Sequence, residues 1–174
     1  CEVNHVHKKW DENQLHVALA FPDLYEIATS HFGIQILYDM LNDSEGTLAE
    51  RVFAPAPDLE KLLRQNRRPL CSLESEIPLN QFDIVGFSLL YELNYTNMVN
   101  MLDLGGIALM SKQREEKDPF IIAGGPCTCN PEPVADFFDA IVVGDGEAVI
   151  LEMTAAWKSW QQDDRCQRKA LLRQ

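Results

Sequence analysis

The stretch "FIIAGGPCTCNPEPVADFFDAIVVGDGEAVI", residues 120–150, holds two short apolar runs that each break at glycines. Phe120-Ile121-Ile122-Ala123 stops at Gly124-Gly125-Pro126, and Ala140-Ile141-Val142-Val143 stops at Gly144-Asp145-Gly146-Glu147. Apolar runs of this length, bounded by turn residues, read as buried strands. Glycine at the end of a strand permits positive φ and lets the backbone pass close to another group. One such corner reads as a tight strand-to-helix turn. Two of them, with "GFSL" and "FPD" ending other apolar runs, read as a binding edge.

Working outward, Leu15 to Phe21 forms a first buried run, ended by Pro22-Asp23. Thr29 or Ser30 suits the N-cap of a following helix, in which Ile34, Leu37, Tyr38 and Leu41 recur at helical spacing. Asn42 to Gly46 closes that helix. Leu48 to Ala54 reads as a second strand, interrupted by Glu50 and Arg51, and Pro57-Asp58 opens a helix around Leu59, Leu62 and Leu63. "PLCSLES" is a short extended segment. Phe82 to Leu89 is a third strand, followed by a helix with a Tyr95, Met98, Val99, Leu102 stripe. Gly105-Gly106 suits the left-handed turn at its end. Residues 112–118 read as a charged loop or a short exposed helix. Val149, Met153, Trp157 and Trp160 line one face of a last helix, with both tryptophans as packing residues.

Strands alternating with helices predict a three-layer α/β domain with a parallel sheet. Five strands predict the flavodoxin-like (Rossmann-like) order 2-1-3-4-5, in which ligands bind at the carboxyl ends of the strands. The boundaries read as an N-terminal extension over residues 1–14, a domain over 15–162, and a helical linker over 163–174.

The 174 residues suffice for one domain with its own core. The sequence lacks an apolar run of membrane-spanning length and a secretory leader pattern. Five cysteines without regular spacing then fit reduced thiols in a cytoplasm. The net charge of -12 argues against a nucleic-acid surface across the domain. The first residue is Cys1, so the chain is expected to be part of a longer protein or to lack its true start. The tail from Lys158 to Gln174 is locally basic and reads as a helix leaving the domain or as a solvated terminal helix.

The motifs "DIVGFSL", "FIIAGGP", "NPEPVADFFDAIVVGDGE" and "ALAFPDLYEIATSHFGIQIL" resemble the N-terminal, cobalamin-binding-type domain of radical SAM proteins, in particular the group known as Fe-S oxidoreductases. The resemblance covers nearly the whole chain. It implies a flavodoxin-like domain that holds cobalamin on its carboxyl rim. It also implies a following radical SAM barrel in the same polypeptide, carrying a 4Fe-4S cluster and S-adenosylmethionine. The barrel's C-x-x-x-C-x-x-C motif is absent here; Cys127-Thr128-Cys129 has neither its spacing nor its third thiolate. The chain alone is therefore expected to be non-catalytic, and its partners are the barrel and a substrate of unknown identity. The parent is expected to be a radical SAM enzyme, an oxidoreductase or a methyl or other group transferase.

Carried over by position, the implied cofactor rim consists of Phe21, Pro22 and Asp23 after the first strand and Ser88 and Leu89 after the third. Gly124, Gly125 and Pro126 follow the fourth, and Gly144, Asp145, Gly146 and Glu147 the fifth. Asp145 and Glu147 have a second reading as caps of the last helix. The D-x-H-x-x-G motif of cobalt-ligating relatives is not reproduced: Asp23, His31 and Gly33 are present at other spacings. His31 reads as a polar residue of a first helical turn and is the best histidine candidate for a site role, while two histidines, His5 and His7, make no zinc site alone.

Other classes of this fold fail on residues. A phosphoacceptor receiver needs an acidic pair after its first strand and a lysine after its fifth. A flavodoxin needs a phosphate-cradling loop in place of "FPDLYEI". A hydrolase needs a nucleophile elbow with a base. The main rival is a non-enzymatic interaction domain that has lost cobalamin, its rim filled by Phe87, Tyr91 and Tyr95; a third reading is a rim that binds another nucleotide-like ligand.

Overall fold

A computed structural model describes residues 5–11 and 14–161. Its centre is a five-stranded parallel sheet in the order β2-β1-β3-β4-β5, made of β1 (Leu15–Phe21), β2 (Thr47–Phe53), β3 (Ile84–Ser88), β4 (Phe120–Gly124) and β5 (Ala140–Ile141). The expected strand order is the observed one. All seven residues of β1 are buried, as a strand flanked by strands and covered on both faces must be.

Side chains alternate across the sheet. Ala18, Ala20, Val85, Phe87, Ile121 and Ala123 face a core built with Met98, Met101 and Leu102 of α4 (Asn94–Leu104). Val17, Leu19, Ile84 and Phe120 face the other core. That core is built with Ile34, Tyr38 and Leu41 of α2 (Phe32–Asp43) and Trp157 of α5 (Gly146–Gln161). Trp157 is buried against Phe120 and Trp160, with ring centroids 5.4 and 4.8 Å away, so both tryptophans pack as expected. Burying a large apolar side chain contributes about 1.5–3 kcal/mol.

The helix opened by Pro57 is present, and four local features add to or change the sequence reading. The residues after Phe21 form a four-residue helix, α1 (Tyr25–Ala28). The N-cap of α2 is then His31, without a side-chain cap hydrogen bond, because α1 consumes Thr29 and Ser30 as its exit. Leu59 and Leu62 of α3 (Pro57–Asn66) are about half exposed, and that helix buries no residue. Between β4 and β5 the chain makes only two 3-10 turns, over Pro126–Cys129 and Ala135–Phe137, since Pro131 and Pro133 break any longer helix.

Glu50 and Arg51 do not interrupt β2. Both are buried. Arg51 Nε and its backbone N–H donate to the Glu74 carboxylate, each at 2.7 Å, and Arg51 O accepts from Leu73 N–H. The "PLCSLES" segment thus covers the sheet edge, which would otherwise offer unpaired backbone groups. Residues 5–11 pack back on the domain. Val6 N–H donates to Tyr38 Oη at 3.0 Å, Lys8 Nζ donates to the Asn42 and Thr47 carbonyls, and the Trp10 ring stacks on His16 at 3.6 Å. The expected linker helix over 163–174 lies outside the described residues. Among the described residues no helix is long and apolar enough to cross a membrane.

Candidate functional site

A cavity of about 460 Å³ opens at the carboxyl rim and runs down one face of the sheet, beneath α2 and α5. Its walls are apolar: Val17, Leu19, Ile84 and Ile122 from the strands, Leu37 from α2, and Val149, Ile150 and Met153 from α5. Its mouth is polar and small, formed by Ser88, Gly124, Gly125 and Pro126 on one side and Gly144, Asp145, Gly146 and Glu147 on another. Eight of the twelve implied rim residues therefore line one cavity. β3 and β4 pair with Ser88 opposite Gly124, which brings two of these corners together.

The other four stand apart from it. Phe21 and Leu89 are buried in the two cores. Pro22 O accepts from the side-chain amides of Asn94 and Asn97, each at 3.0 Å. The Asp23 carboxylate accepts from Tyr91 Oη, and this bond holds the Tyr91 hydroxyl above its ordinary pKa. These residues tie the loop after β1 to the loop and helix after β3.

The glycines divide into two kinds. A Cβ placed on Gly86 or Gly124 would meet nothing within 4 Å; Gly144 has the same open space, but its φ of 114° itself demands glycine. Gly86 sits in the middle of β3, where glycine packs no side chain, and its empty side is cavity floor. A Cβ on Gly125 would lie 2.7 Å from Leu89 O and 3.1 Å from Leu89 N. Gly125 has φ 102°, so both its conformation and its contact with the end of β3 demand glycine. Thr128 Oγ1 lies 2.8 Å from Gly125 O and 2.7 Å from Val142 O and fixes this corner to the end of β5.

Three further residues outside the twelve-residue rim line the cavity, one of them His31, the histidine that the sequence offered for a site role. Gly86 was legible as an isolated glycine inside a strand. Cys129, exposed, lines the mouth; no spacing signal marks it. His31 lines the cavity, its ring folded over Gly33, whose absent Cβ would sit 2.9 Å from His31 Cε1. His31 Nδ1 is buried without a hydrogen-bond partner among the described residues. Cys127 belongs to the other side of the turn, where burial and then Glu92 raise the pKa of its thiol and disfavour the thiolate. Among the described residues no three His, Cys, Asp or Glu side chains gather as a metal site.

Residues 33–174 match the family model described as "Radical SAM proteins, N-terminal". The chain belongs to this family of radical SAM N-terminal domains. The matched region begins after β1, yet β1 lies between β2 and β3, so the folded domain extends upstream of the matched residues. No curated protein matches the chain.

Proposed function

We propose that this radical SAM N-terminal domain holds cobalamin for, or positions substrate toward, chemistry done by a radical SAM barrel in the same protein. The barrel would carry the 4Fe-4S cluster and S-adenosylmethionine. The observation that carries the reading is the apolar slot under α2 and α5, open at the carboxyl rim and floored by Gly86. Slots at this edge of open α/β sheets are ligand sites. The chemistry of the lining fits the aromatic base and ribose of cobalamin's nucleotide tail, which is joined to the rest of the molecule through a singly charged phosphodiester. The aliphatic walls suit the ring, and Ser88 at the mouth offers a hydroxyl for a polar edge. When bound, cobalamin supplies a methyl- or electron-carrying cobalt; the residues described here enclose its tail and exclude water from it.

The rival reading, a rim filled by aromatics, finds less support. The Phe87 ring is on the opposite face, 6.1 Å from Phe138. Tyr95 packs on that same opposite core, and Tyr91 is turned to Asp23.

The test is a titration of the protein with hydroxocobalamin, read by absorbance and calorimetry, on the natural chain and on Gly86→Leu. The new side chain would enter open space, so thermal stability should hold or rise, because replacing a strand glycine lowers the entropy lost on folding. Saturable binding by the natural chain, lost in the variant, is the expected result. Absence of binding both here and in a protein that includes the barrel would leave the interaction-domain reading.

A further inference from the structure

The five stretches that leave the carboxyl ends of the strands, residues 22–31, 54–58, 89–93, 125–130 and 142–147, contain no lysine or arginine. They contain six carboxylates: Asp23, Glu26, Asp58, Glu92, Asp145 and Glu147. The basic residues lie elsewhere. Arg67 and Arg68 follow α3, and Lys112, Arg114 and Lys117 precede β4. Lys8 is bound to the carbonyls of Asn42 and Thr47, and Lys158 to that of Glu45, at the amino end of β2. The opposite end mixes signs, with Asp43, Glu45, Asp83, Glu115, Glu116, Asp118 and Asp139 beside these bases, so the carboxyl rim, where the cavity opens, is the more negative end.

The N-termini of α2 and α5 also face the mouth. Each adds about half a positive charge, about one unit together, and Glu147 in the first turn of α5 offsets one of them. Six full negative charges outweigh that. Among the described residues no lysine or arginine lines the cavity; the uncapped N-terminus of α2 favours a phosphate, but its half charge is outweighed by the rim carboxylates.

We propose that this rim makes the cavity a site for ligands that are cationic or neutral overall, with an apolar aromatic end, and closes it to nucleotides that end in a free, doubly charged phosphate. The proposal rests on the reading of the cavity as a ligand site and specifies the charge of what it takes. The carboxylates are mostly exposed, so the selectivity is a long-range field and is screened by salt.

The experiment compares aquacobalamin, a cation, with cyanocobalamin, which is neutral, and with flavin mononucleotide, an anion, on the full chain across a salt series. Aquacobalamin should bind about fivefold tighter than cyanocobalamin at about 20 mM salt, with the gap closing by about 500 mM. Flavin mononucleotide should show no saturable binding. In the double variant Glu26→Gln, Glu92→Gln, whose side chains are exposed and outside the cavity lining, the low-salt gap should shrink while cyanocobalamin affinity stays unchanged. Equal affinities for both cobalamins at low salt, or saturable flavin nucleotide binding, would overturn the charge proposal and leave the cavity as a site. A gap that persists at high salt would also overturn it and point to ligand exchange at cobalt by His31 or Cys129. Failure of both cobalamins to bind would instead sink the reading of the site, and this proposal with it.

Discussion

Gly124 and Gly125 are neighbours in sequence with opposite reasons for being glycine. At Gly124 the missing Cβ leaves open cavity; at Gly125 it avoids the Leu89 backbone, at a φ of 102°. The pair "GG" announces a corner in the sequence but not this division of labour, because the second strand end that presses on Gly125 comes from residue 89, thirty-six positions away. The two residues should therefore respond differently to one added methyl. Gly125→Ala combines a glycine-only conformation, which costs about 1–3 kcal/mol, with a backbone overlap. Its midpoint in a urea melt should fall by the equivalent of about 2 kcal/mol or more. Gly124→Ala should leave that midpoint nearly unchanged and show its effect on ligand binding. Equal loss of stability in both variants would remove the distinction.

At the scale of elements, what the sequence hides is partnership between segments without regular structure. Residues 112–118 read as an exposed charged loop, yet Arg114 is buried. Its guanidinium donates to Asp139 Oδ2 at 2.9 Å and to the carbonyls of Ala108, Leu109 and Phe137. Asp139 Oδ2 in turn accepts from Ile121 N–H at 2.8 Å. One ion pair thus joins the loop before β4, the strand β4 and the start of β5, which is only two residues long. Composition gives no sign of it, because a buried arginine and an exposed one are spelled alike. Breaking a buried pair from one side strands the other charge. Arg114→Met should cost about 3–5 kcal/mol in a denaturant melt, with amide exchange rising first at Ile121 and Val142. A loss below about 1 kcal/mol would mean that water replaces the guanidinium at no cost, as at an exposed pair. The strands themselves were legible, because β-rich apolar runs ending in glycine or proline have few other readings; β2 needed Glu74 and the "PLCSLES" cover to make sense of its two charges.

The order of the whole sheet was legible for a different reason. Alternating strands and helices leave few un-knotted, right-handed ways to connect five parallel strands, and the glycine corners mark the edge at which the cavity opens. The extension before β1 was not legible as part of the fold, since its contacts are backbone groups and single long side chains. Its main anchor is Tyr38 on α2, whose hydroxyl accepts the Val6 N–H and whose ring lies 4.8 Å from the Arg51 guanidinium. Burial, and secondarily Glu74, raises this phenol to about 12, against the lowering effect of the Val6 bond and Arg51. The group is an acid whose native pKa exceeds its unfolded value of about 10. Between those two values the unfolded chain has released a proton that the native chain retains, so stability falls as pH rises. Below pH 10 the contribution is whole, and it is lost on passing through about 12. Urea melts from pH 9 to 12 should thus show a steeper alkaline decline for the natural chain than for Tyr38→Phe. At pH 9 the variant should be modestly weaker, having given up the acceptor for Val6. Parallel declines would place the alkaline transition on other groups and detach the extension from the titration of Tyr38.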